Sequence, residues 1–325
     1  MGERVLVTGA SGFLGGHVVQ ELRAHGYDVT AAGRRAPALP AGGPTFVGDL
    51  DDLATASIPC DVVVHCAALS SPWGRWSEFF HANVVGTERV LSFAQRMGAR
   101  RIVHISSPGI YAAPHDLVNL RESEVDARHP MNHYIRSKLQ AEALLQDSVT
   151  RSGGPEVVIL RPRGIIGPGD PSLVPRLLRV HERLGVPVMR GGRGLIDLTA
   201  VENVALAVRL AAQAPGIDGE VFNITNGDPR PFIELLDQLL GDLGLPQKHR
   251  ALPARGVYAL AGILEAVCGM LPGRPEPPVT RYTVTTIAHS QTLDISKARE
   301  LLGYAPVVTL DESLASYRGA GAARG

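Results

Sequence analysis

A phenol and an ammonium stand four residues apart in Tyr134-Ile-Arg-Ser-Lys138. On a helix they share one face. A free phenol titrates near about 10, too high for acid–base work at neutral pH. A neighbouring ammonium favours the phenolate and lowers that value. Tyr134 would then give a proton to a carbonyl oxygen or take one from an alcohol. Ser106 and Ser107 offer a hydroxyl to the same oxygen, directly after the apolar run Arg101 to Ile105. Ligands of open parallel sheets bind beyond the carboxyl ends of the strands. Taken alone, Tyr-x-x-x-Lys is a common accident of surface helices, so the elements that position it decide its meaning.

The first of those elements opens the chain. Val5, Leu6 and Val7 form a short apolar run, as in a strand buried on both faces. Thr8 ends it, and Gly9, Gly12 and Gly15 follow at intervals of three before an amphipathic helix from about Phe13 to Ala24. Strand, glycine turn and helix N-terminus make a site for a phosphate. Gly9 permits the sharp turn, Gly12 lets a pyrophosphate approach, and Gly15 lets helix and strand pack closely. The position of the motif marks a dinucleotide fingerprint.

Further strands are expected at Asp28 to Ala32, Thr45 to Val47, Asp61 to His65, Arg101 to Ile105, Val157 to Leu160 and Val221 to Ile224. Helices are expected at Ser77 to Met97, Tyr134 to Ser148 and Val201 to Ala212. This alternation predicts an α/β fold, a Rossmann-type doubly wound parallel sheet. Beyond Arg161 the glycines and prolines multiply. A smaller, partly interleaved substrate domain is expected there. Residues 1–165 and 196–226 would bind the dinucleotide, and 166–195 and 227–325 the substrate.

After the second strand an NAD enzyme usually places an acid for the ribose hydroxyl. This chain has Gly33-Arg34-Arg35. Arg34 and Arg35 suit a 2′-phosphate, so NADP(H) is the expected cofactor, ahead of NAD(H). Asp49 either accepts from the adenine amino group or closes a turn before Asp51 and Asp52.

Composition narrows the function classes. The 325 residues carry 32 basic and 32 acidic side chains, with no charge block to call for nucleic acid. The three cysteines, Cys60, Cys66 and Cys268, share no ligand spacing, and the eleven histidines show no metal pattern. No metal is expected, and His65 reads as a satisfied core residue. The chain opens straight into a strand, so a cytoplasmic protein without a signal peptide is expected. Val257 to Leu271 is apolar but shorter than a membrane span and includes Glu265. It reads as an ordinary packed helix, with a pocket roof or a membrane-surface segment as the other readings.

With these residues in hand, the chain resembles the extended short-chain dehydrogenases/reductases. The resemblance rests on TGASGFLG at Thr8 to Gly15, NVVGT at Asn83 to Thr87, HISSPGIY at His104 to Tyr111 and YIRSK at Tyr134 to Lys138. It implies that Ser107, not Ser106, is the catalytic hydroxyl. It implies that Lys138 lowers the Tyr134 pKa and holds the nicotinamide ribose, and that Asn83 supports a proton relay from Lys138 through water. It implies cofactor contacts from Ser11, Phe13, Leu14, Leu50, Ala67, Ala68 and Pro162, besides the glycines, the arginines, Asp49, Tyr134 and Lys138. It also implies a homodimer built from the helices at Ser77 to Met97 and Tyr134 to Ser148.

Within the NAD-dependent epimerase/dehydratase group, the chain is similar to the 3β-hydroxysteroid dehydrogenase-like branch. That branch includes sterol-decarboxylating dehydrogenases and bacterial reductases of 3-keto acids. The matching stretches are AALSSPWGRW at Ala67 to Trp76, LRPRGIIGPGD at Leu160 to Asp170, GGRGLIDLTAVENVA at Gly191 to Ala205 and TLDISKARELLGYAP at Thr292 to Pro306. Ala200-Val201-Glu202 departs from the branch's aromatic-Val-Asp pattern.

The expectation is an NAD(P)H-dependent oxidoreductase, a ketoreductase or alcohol dehydrogenase, with a largely apolar 3-keto or 3-hydroxy small-molecule substrate. A nucleotide-sugar epimerase with an internally recycled cofactor is the alternative. Against it, Ser107 is followed by Pro108 and Gly109 rather than an acid pair, and Gly164 replaces a nucleotide-sugar Asn. A non-catalytic NADP sensor is a second alternative, though such proteins typically lose the tyrosine. Trp73 and Trp76 either wall a hydrophobic substrate or pack their loop. Arg163 either grips a substrate carboxylate or pairs with an acid such as Asp170.

Overall fold

A computed structural model describes residues 2–150 and 153–318. The expected domain spans also take in residues 1, 151–152 and 319–325, which lie outside the described residues.

Seven parallel strands form the main sheet: β1 (Arg4–Thr8), β2 (Asp28–Gly33), β3 (Thr45–Val47), β4 (Val62–His65), β5 (Arg101–Ile105), β7 (Glu156–Pro162) and β12 (Val221–Ile224). Their order is β12-β7-β5-β4-β1-β2-β3. The order reverses between β1 and β4, so the crevice for a dinucleotide opens there. β1 shows why its apolar run is continuous. Val5 and Val7 point to one core, with Val18, Val19 and Leu22 of α1 (Phe13–Ala24) and Val208 and Ala211 of α6 (Val201–Gln213). Leu6 points to the other, with Val90 and Phe93 of α3 (Gly86–Met97) and Leu145 of α4 (His133–Val149). Alternate side chains of one strand thus serve two helix layers.

The helix expected from Ser77 to Met97 is interrupted. A short α2 (Trp76–Phe79) passes into a π-helical segment, Phe80–Val85, before α3 begins. The π segment contains Asn83, and such segments recur at functional sites.

A second sheet has the order β13-β10-β15-β6. Its strands are β6 (Leu117–Leu120), β10 (Leu195–Ile196), β13 (Arg230–Pro231) and β15 (Gln291–Leu293). β6 lies within the span expected to belong wholly to the first domain, yet it pairs with β15. Two small pairs complete the strands: β8 (Ile165–Ile166) with β11 (Thr199–Ala200), and β9 (Val186–Met189) with β14 (His249–Leu252). Around them lie α5 (Leu173–Leu184), α7 (Phe232–Asp242), α8 (Ala254–Met270) and α9 (Arg281–Ala288).

The stretch Val257 to Leu271 packs on one side: Ala261 is buried against Val284 and Ala288 of α9 with Val257 and Tyr258 beside it, while Leu260, Ile263, Val267, Met270 and Leu271 are exposed. Apolar content without a helical stripe gave no sign of which side would face the core. No helix among the described residues is long and apolar enough to cross a membrane.

A buried polar network stitches the two sheets. Arg161 of β7 makes a two-pronged pair with Glu142 of α4, at 3.0 and 2.6 Å. The same guanidinium donates to the Tyr111 hydroxyl at 2.5 Å, and Tyr111 donates to Asn223 of β12 at 2.9 Å. Asn223 in turn donates to the carbonyl of Leu120 at the end of β6.

Candidate active site

The turn after β1 is shaped by backbone. Gly9 has φ +69°, and a Cβ there would lie 2.7 Å from the Ala67 nitrogen. A Cβ on Gly15 would lie 2.2 Å from the Gly9 carbonyl oxygen. These two positions therefore require glycine. Gly12 caps α1 without any side-chain bond, and no acid occupies the first turn. The leading N–H groups of α1 are left for an anion. An open groove of about 760 Å³ lies in front of them, lined by Ser11, Gly12, Phe13, His17, Arg35 and Pro168 among others. Arg34 and Arg35 are exposed. The residues present fit a dinucleotide phosphate.

The other expected cofactor residues lie outside the lining of that groove. Leu14 packs against the first core. Leu50 reaches α3, where a Cβ on Gly86 would lie 2.6 Å from its Cδ1. Pro162 ends β7 opposite Ile224. Ala67 lies against Gly9, and Ala68 is exposed beside it. Asp49 closes a turn, accepting from the Asp51 N–H at 2.9 Å while Asp52 accepts from its own N–H.

His65 explains how β1 and β4 are locked together. The Thr87 hydroxyl donates to the Asn83 carbonyl at 2.6 Å, so its oxygen accepts from His65 Nε2 at 3.1 Å. His65 Nδ1 then accepts from the Thr8 hydroxyl at 2.8 Å. Burial holds this imidazole neutral, with its pKa pushed down to about 3. Asn83 is fully engaged: its side chain accepts from the Leu69 N–H at 2.7 Å and donates to the Leu69 carbonyl and the Ser137 hydroxyl, at 3.0 and 2.8 Å. The side chain thus clamps the loop after β4 onto α4, and none of these bonds goes to Lys138.

The three reactive side chains meet at the carboxyl edge of β5. The Tyr134 hydroxyl lies close to those of Ser107 and Ser70. Ser107 is held in place as the cap of the Pro108–Tyr111 turn, accepting from the Gly109 N–H at 3.2 Å. Ser106 is buried, and its hydroxyl has no partner among the described residues. Asn132 caps α4 by accepting from the Ile135 N–H, which places Tyr134 in the first turn. One helical turn on, Lys138 is buried and donates to the Ile105 carbonyl at 2.7 Å.

Burial pushes the Lys138 ammonium down to about 8. Burial also holds the Tyr134 phenol above its ordinary value, and the Ser107 and Ser70 hydroxyls offset part of that rise. Lowering of the phenol by Lys138 is not seen in the protein's own groups. The ammonium faces a carbonyl, and desolvation dominates.

Trp73 lies in the loop after β4, whereas Trp76, also expected in that loop, opens α2. Trp73 donates to the Arg274 carbonyl beyond α8 at 3.0 Å. Trp76 stacks under the Arg136 guanidinium, 4.1 Å from the ring centre, and lies near Phe80 and His133. Arg163 is buried and donates to Gln291, whose amide donates to the Pro108 carbonyl at 3.0 Å. It is not paired with Asp170, which instead accepts from the first N–H groups of α5.

Sequence reasoning missed Ser70, Glu142, Arg161, Asp197 and Tyr282. Glu142 had a signal, since it falls one turn beyond Lys138 on the same face of α4. Tyr282 and Asp197 had none: they belong to elements brought in from far along the chain.

Comparison with known proteins places this architecture. Residues 5–225 match the model of the NAD dependent epimerase/dehydratase family. The 2-alkyl-3-oxoalkanoate reductase of Stenotrophomonas maltophilia (strain K279a) is 33% identical, over 98% of this chain and 100% of its own. The decarboxylating sterol-4-alpha-carboxylate 3-dehydrogenase of Mus musculus is 30% identical, over 96% of this chain and 89% of its own. The solved structure of MoeE5 in complex with UDP-glucose and NAD has a TM-score of 0.77 at 27% identity, covering 99% of each chain. The chain belongs to the NAD dependent epimerase/dehydratase family. It is an NAD(P)-dependent oxidoreductase of CH–OH and C=O carbons.

Proposed function

We propose that the protein is an NADP(H)-dependent ketoreductase whose substrate is a largely apolar 3-keto compound, either a 3-keto acid or a steroid-like ketone. The observation that carries this is the meeting of Ser107 and Tyr134 at the edge of β5, one helical turn from Lys138. The glycine turn, the bare N-terminus of α1 and Arg34 and Arg35 support a phosphorylated dinucleotide. The names of the reductase and sterol dehydrogenase relatives support a 3-keto or 3-hydroxy substrate.

When bound, the nicotinamide supplies or accepts the hydride. The protein's residues do the rest. Ser107 orients the substrate oxygen, and the Tyr134 hydroxyl gives its proton to that oxygen. Lys138 holds positive charge one turn behind the phenol and binds the ribose. The Asn83 clamp fixes the loop that carries Trp73, and the rings of Trp73 and Trp76 wall the apolar part of the substrate. Residues 1–165 and 196–226 hold the cofactor and present Ser107, Tyr134 and the two tryptophans to the substrate, whose remaining contacts come from 166–195 and 227–325. The assembly we propose is a cytoplasmic homodimer.

The MoeE5 likeness keeps nucleotide-sugar conversion as the second reading. An absorbance assay separates the two, comparing NADPH with NADH over 3-keto acids, 3-ketosteroids and UDP-sugars. Net NADPH oxidation with an apolar ketone is expected. Conversion of a UDP-sugar without net cofactor consumption overturns the ketoreductase. Tyr134→Phe should lower turnover by roughly 100-fold or more while leaving NADPH affinity within a few-fold. Retained turnover removes Tyr134 from its role.

A further inference from the structure

The substrate side of the site holds polar groups that the fold itself does not use. Tyr282, near the start of α9, directs its hydroxyl over Gly109. A Cβ on Gly109 would lie 3.0 Å from that hydroxyl and 3.3 Å from Ser107 Oγ. The absence of a side chain at 109 is what lets the two hydroxyls approach the same point of the chain so closely. Among the described residues no protein hydrogen bond engages the Tyr282 hydroxyl. Burial pushes its pKa up to about 12, so at neutral pH it is a donor.

Behind Tyr282 stands a guanidinium whose hydrogen bonding is incomplete. Arg163 is 6% exposed. Nη1 donates to Gln291, and Nε is buried with no partner. Nη2 meets no protein acceptor among the described residues. Asp197 lies close enough to act on Arg163 through charge; its Oδ2 accepts from the Leu293 N–H at 2.8 Å, its Oδ1 is buried without a partner among the described residues, and no hydrogen bond joins it to the guanidinium. A buried cation with orphan donors is costly unless an anion completes it.

We propose that Tyr282 and Arg163 form an anion subsite beside the reacting centre and determine preference for a ketone bearing a carboxylate close to its carbonyl. The proposal rests on the ketoreductase reading. With the ketone oxygen at Ser107 and Tyr134, a carboxylate two carbons away falls toward the Tyr282 hydroxyl. Gln291 ties Arg163 to the Pro108 carbonyl, so the subsite is anchored next to the residue that orients the ketone. Tyr282 comes from α9 and Arg163 from the end of β7, so both halves of the molecule build this subsite.

The test uses the full chain with NADPH. The probes are 3-oxodecanoate, its methyl ester, and decanoate as an unreactive carboxylate. The parent should prefer acid to ester in kcat/KM. Tyr282→Phe and Arg163→Gln should each reduce that preference at least about tenfold, with partial recovery in Arg163→Lys. An unmoved preference in Tyr282→Phe, which removes one oxygen and no packing, overturns the proposal. So does a parent that prefers the ester. Calorimetric binding of decanoate to the parent and Tyr282→Phe proteins separates this from the reaction itself. If neither ketone is reduced, the ketoreductase reading fails, and a tenfold weaker decanoate affinity in the variant still upholds the subsite. Equal decanoate affinity then sinks the subsite as well.

Discussion

At the β1–α1 turn the groups that meet a ligand are backbone N–H donors, held by residues chosen for having no side chain. At the proposed Tyr282 subsite they are side chains from α9, from the turn after β5 and from Arg163 just beyond β7. The first region is local: Gly9, Gly12 and Gly15 span seven residues, and close approach is enforced by main-chain oxygen and nitrogen atoms. The second is assembled across the chain, with Arg163 bonded to Gln291 over 128 positions. A backbone site tolerates almost no change in shape but is indifferent to chemistry. A side-chain site keeps its shape when one polar atom is lost and changes what it selects. That difference suits a common cofactor on one side and a particular substrate on the other.

The most severe way to press the comparison is Gly15→Ala. One methyl group would sit 2.2 Å from the Gly9 carbonyl, with Gly9 carbon at 2.7 Å, so the turn must open. NADPH affinity, read by fluorescence titration, should fall on the order of 100-fold. Affinity within threefold of the parent would mean that side chains, not backbone, set the nucleotide site.

A second prediction, read in stability rather than affinity, concerns the stitch between the two sheets. Arg161→Met leaves Glu142 buried without its partner, and Glu142 is only 6% exposed. Denaturant unfolding should show a loss of about 3–5 kcal/mol. Adding Glu142→Leu should recover most of it, because a paired apolar replacement removes the stranded charge. No recovery would assign the cost to the Tyr111 and Asn223 bonds instead.

The third effect has the opposite sign. Lys138 holds its proton less well in the fold, about 8 against an ordinary 10.5. The native state therefore binds fewer protons than the unfolded one between those values, and the parent gains stability as pH rises through that window. Below pH 8 the burial cost is fully present, about 3 kcal/mol. Lys138→Met should thus be more stable at pH 7 by about 2 kcal/mol, after about 1 kcal/mol for the orphaned Ile105 carbonyl. Its turnover should vanish. A variant less stable than the parent at pH 7 would show that the ammonium serves the fold rather than the reaction.

These regions also differ in how far they could be read from the chain. Periodicity and glycine spacing reveal β1, α1 and the main sheet, because each strand is a local apolar run facing two cores. The pairing of Tyr134 with Lys138 is likewise local, a matter of one helical turn. Its setting is not: the sequence suggested a lowered phenol, and only the geometry shows that Lys138 is turned toward Ile105. Asn83 stood out as a polar residue in a helix, yet the π segment and the bonds to Leu69 and Ser137 needed coordinates. The second sheet escaped because β10 and β13 have two residues each and β15 has three. Segments that short carry no period, and their partners lie as far apart as Leu117 and Gln291. Tyr282 and Asp197 remained invisible for the same reason.

The smallest change in binding, a few-fold, concerns Asp197, which belongs to the side-chain region alone. Burial raises its carboxyl to about 6, while the Leu293 N–H, Arg163 and the Thr225 hydroxyl pull the other way. A raised acid binds its proton more tightly in the native state. Its contribution to stability is therefore present below its ordinary 3.8 and lost as pH rises through about 6. Over that window the parent should lose at most about 3 kcal/mol from this group, Arg163's stabilisation of the charge being already contained in the value of about 6. Asp197→Asn keeps the shape, and its melting temperature should vary less with pH between 4 and 6. The same substitution removes a negative charge beside the Arg163 guanidinium. If Arg163 serves an anion, Asp197→Asn should tighten decanoate at pH 7 by a few-fold, whereas no change in the nucleotide affinity is expected on the backbone-built side. Loss of decanoate affinity in that variant would instead make Asp197 the group that aligns Arg163, and the subsite would be a three-residue device rather than a pair.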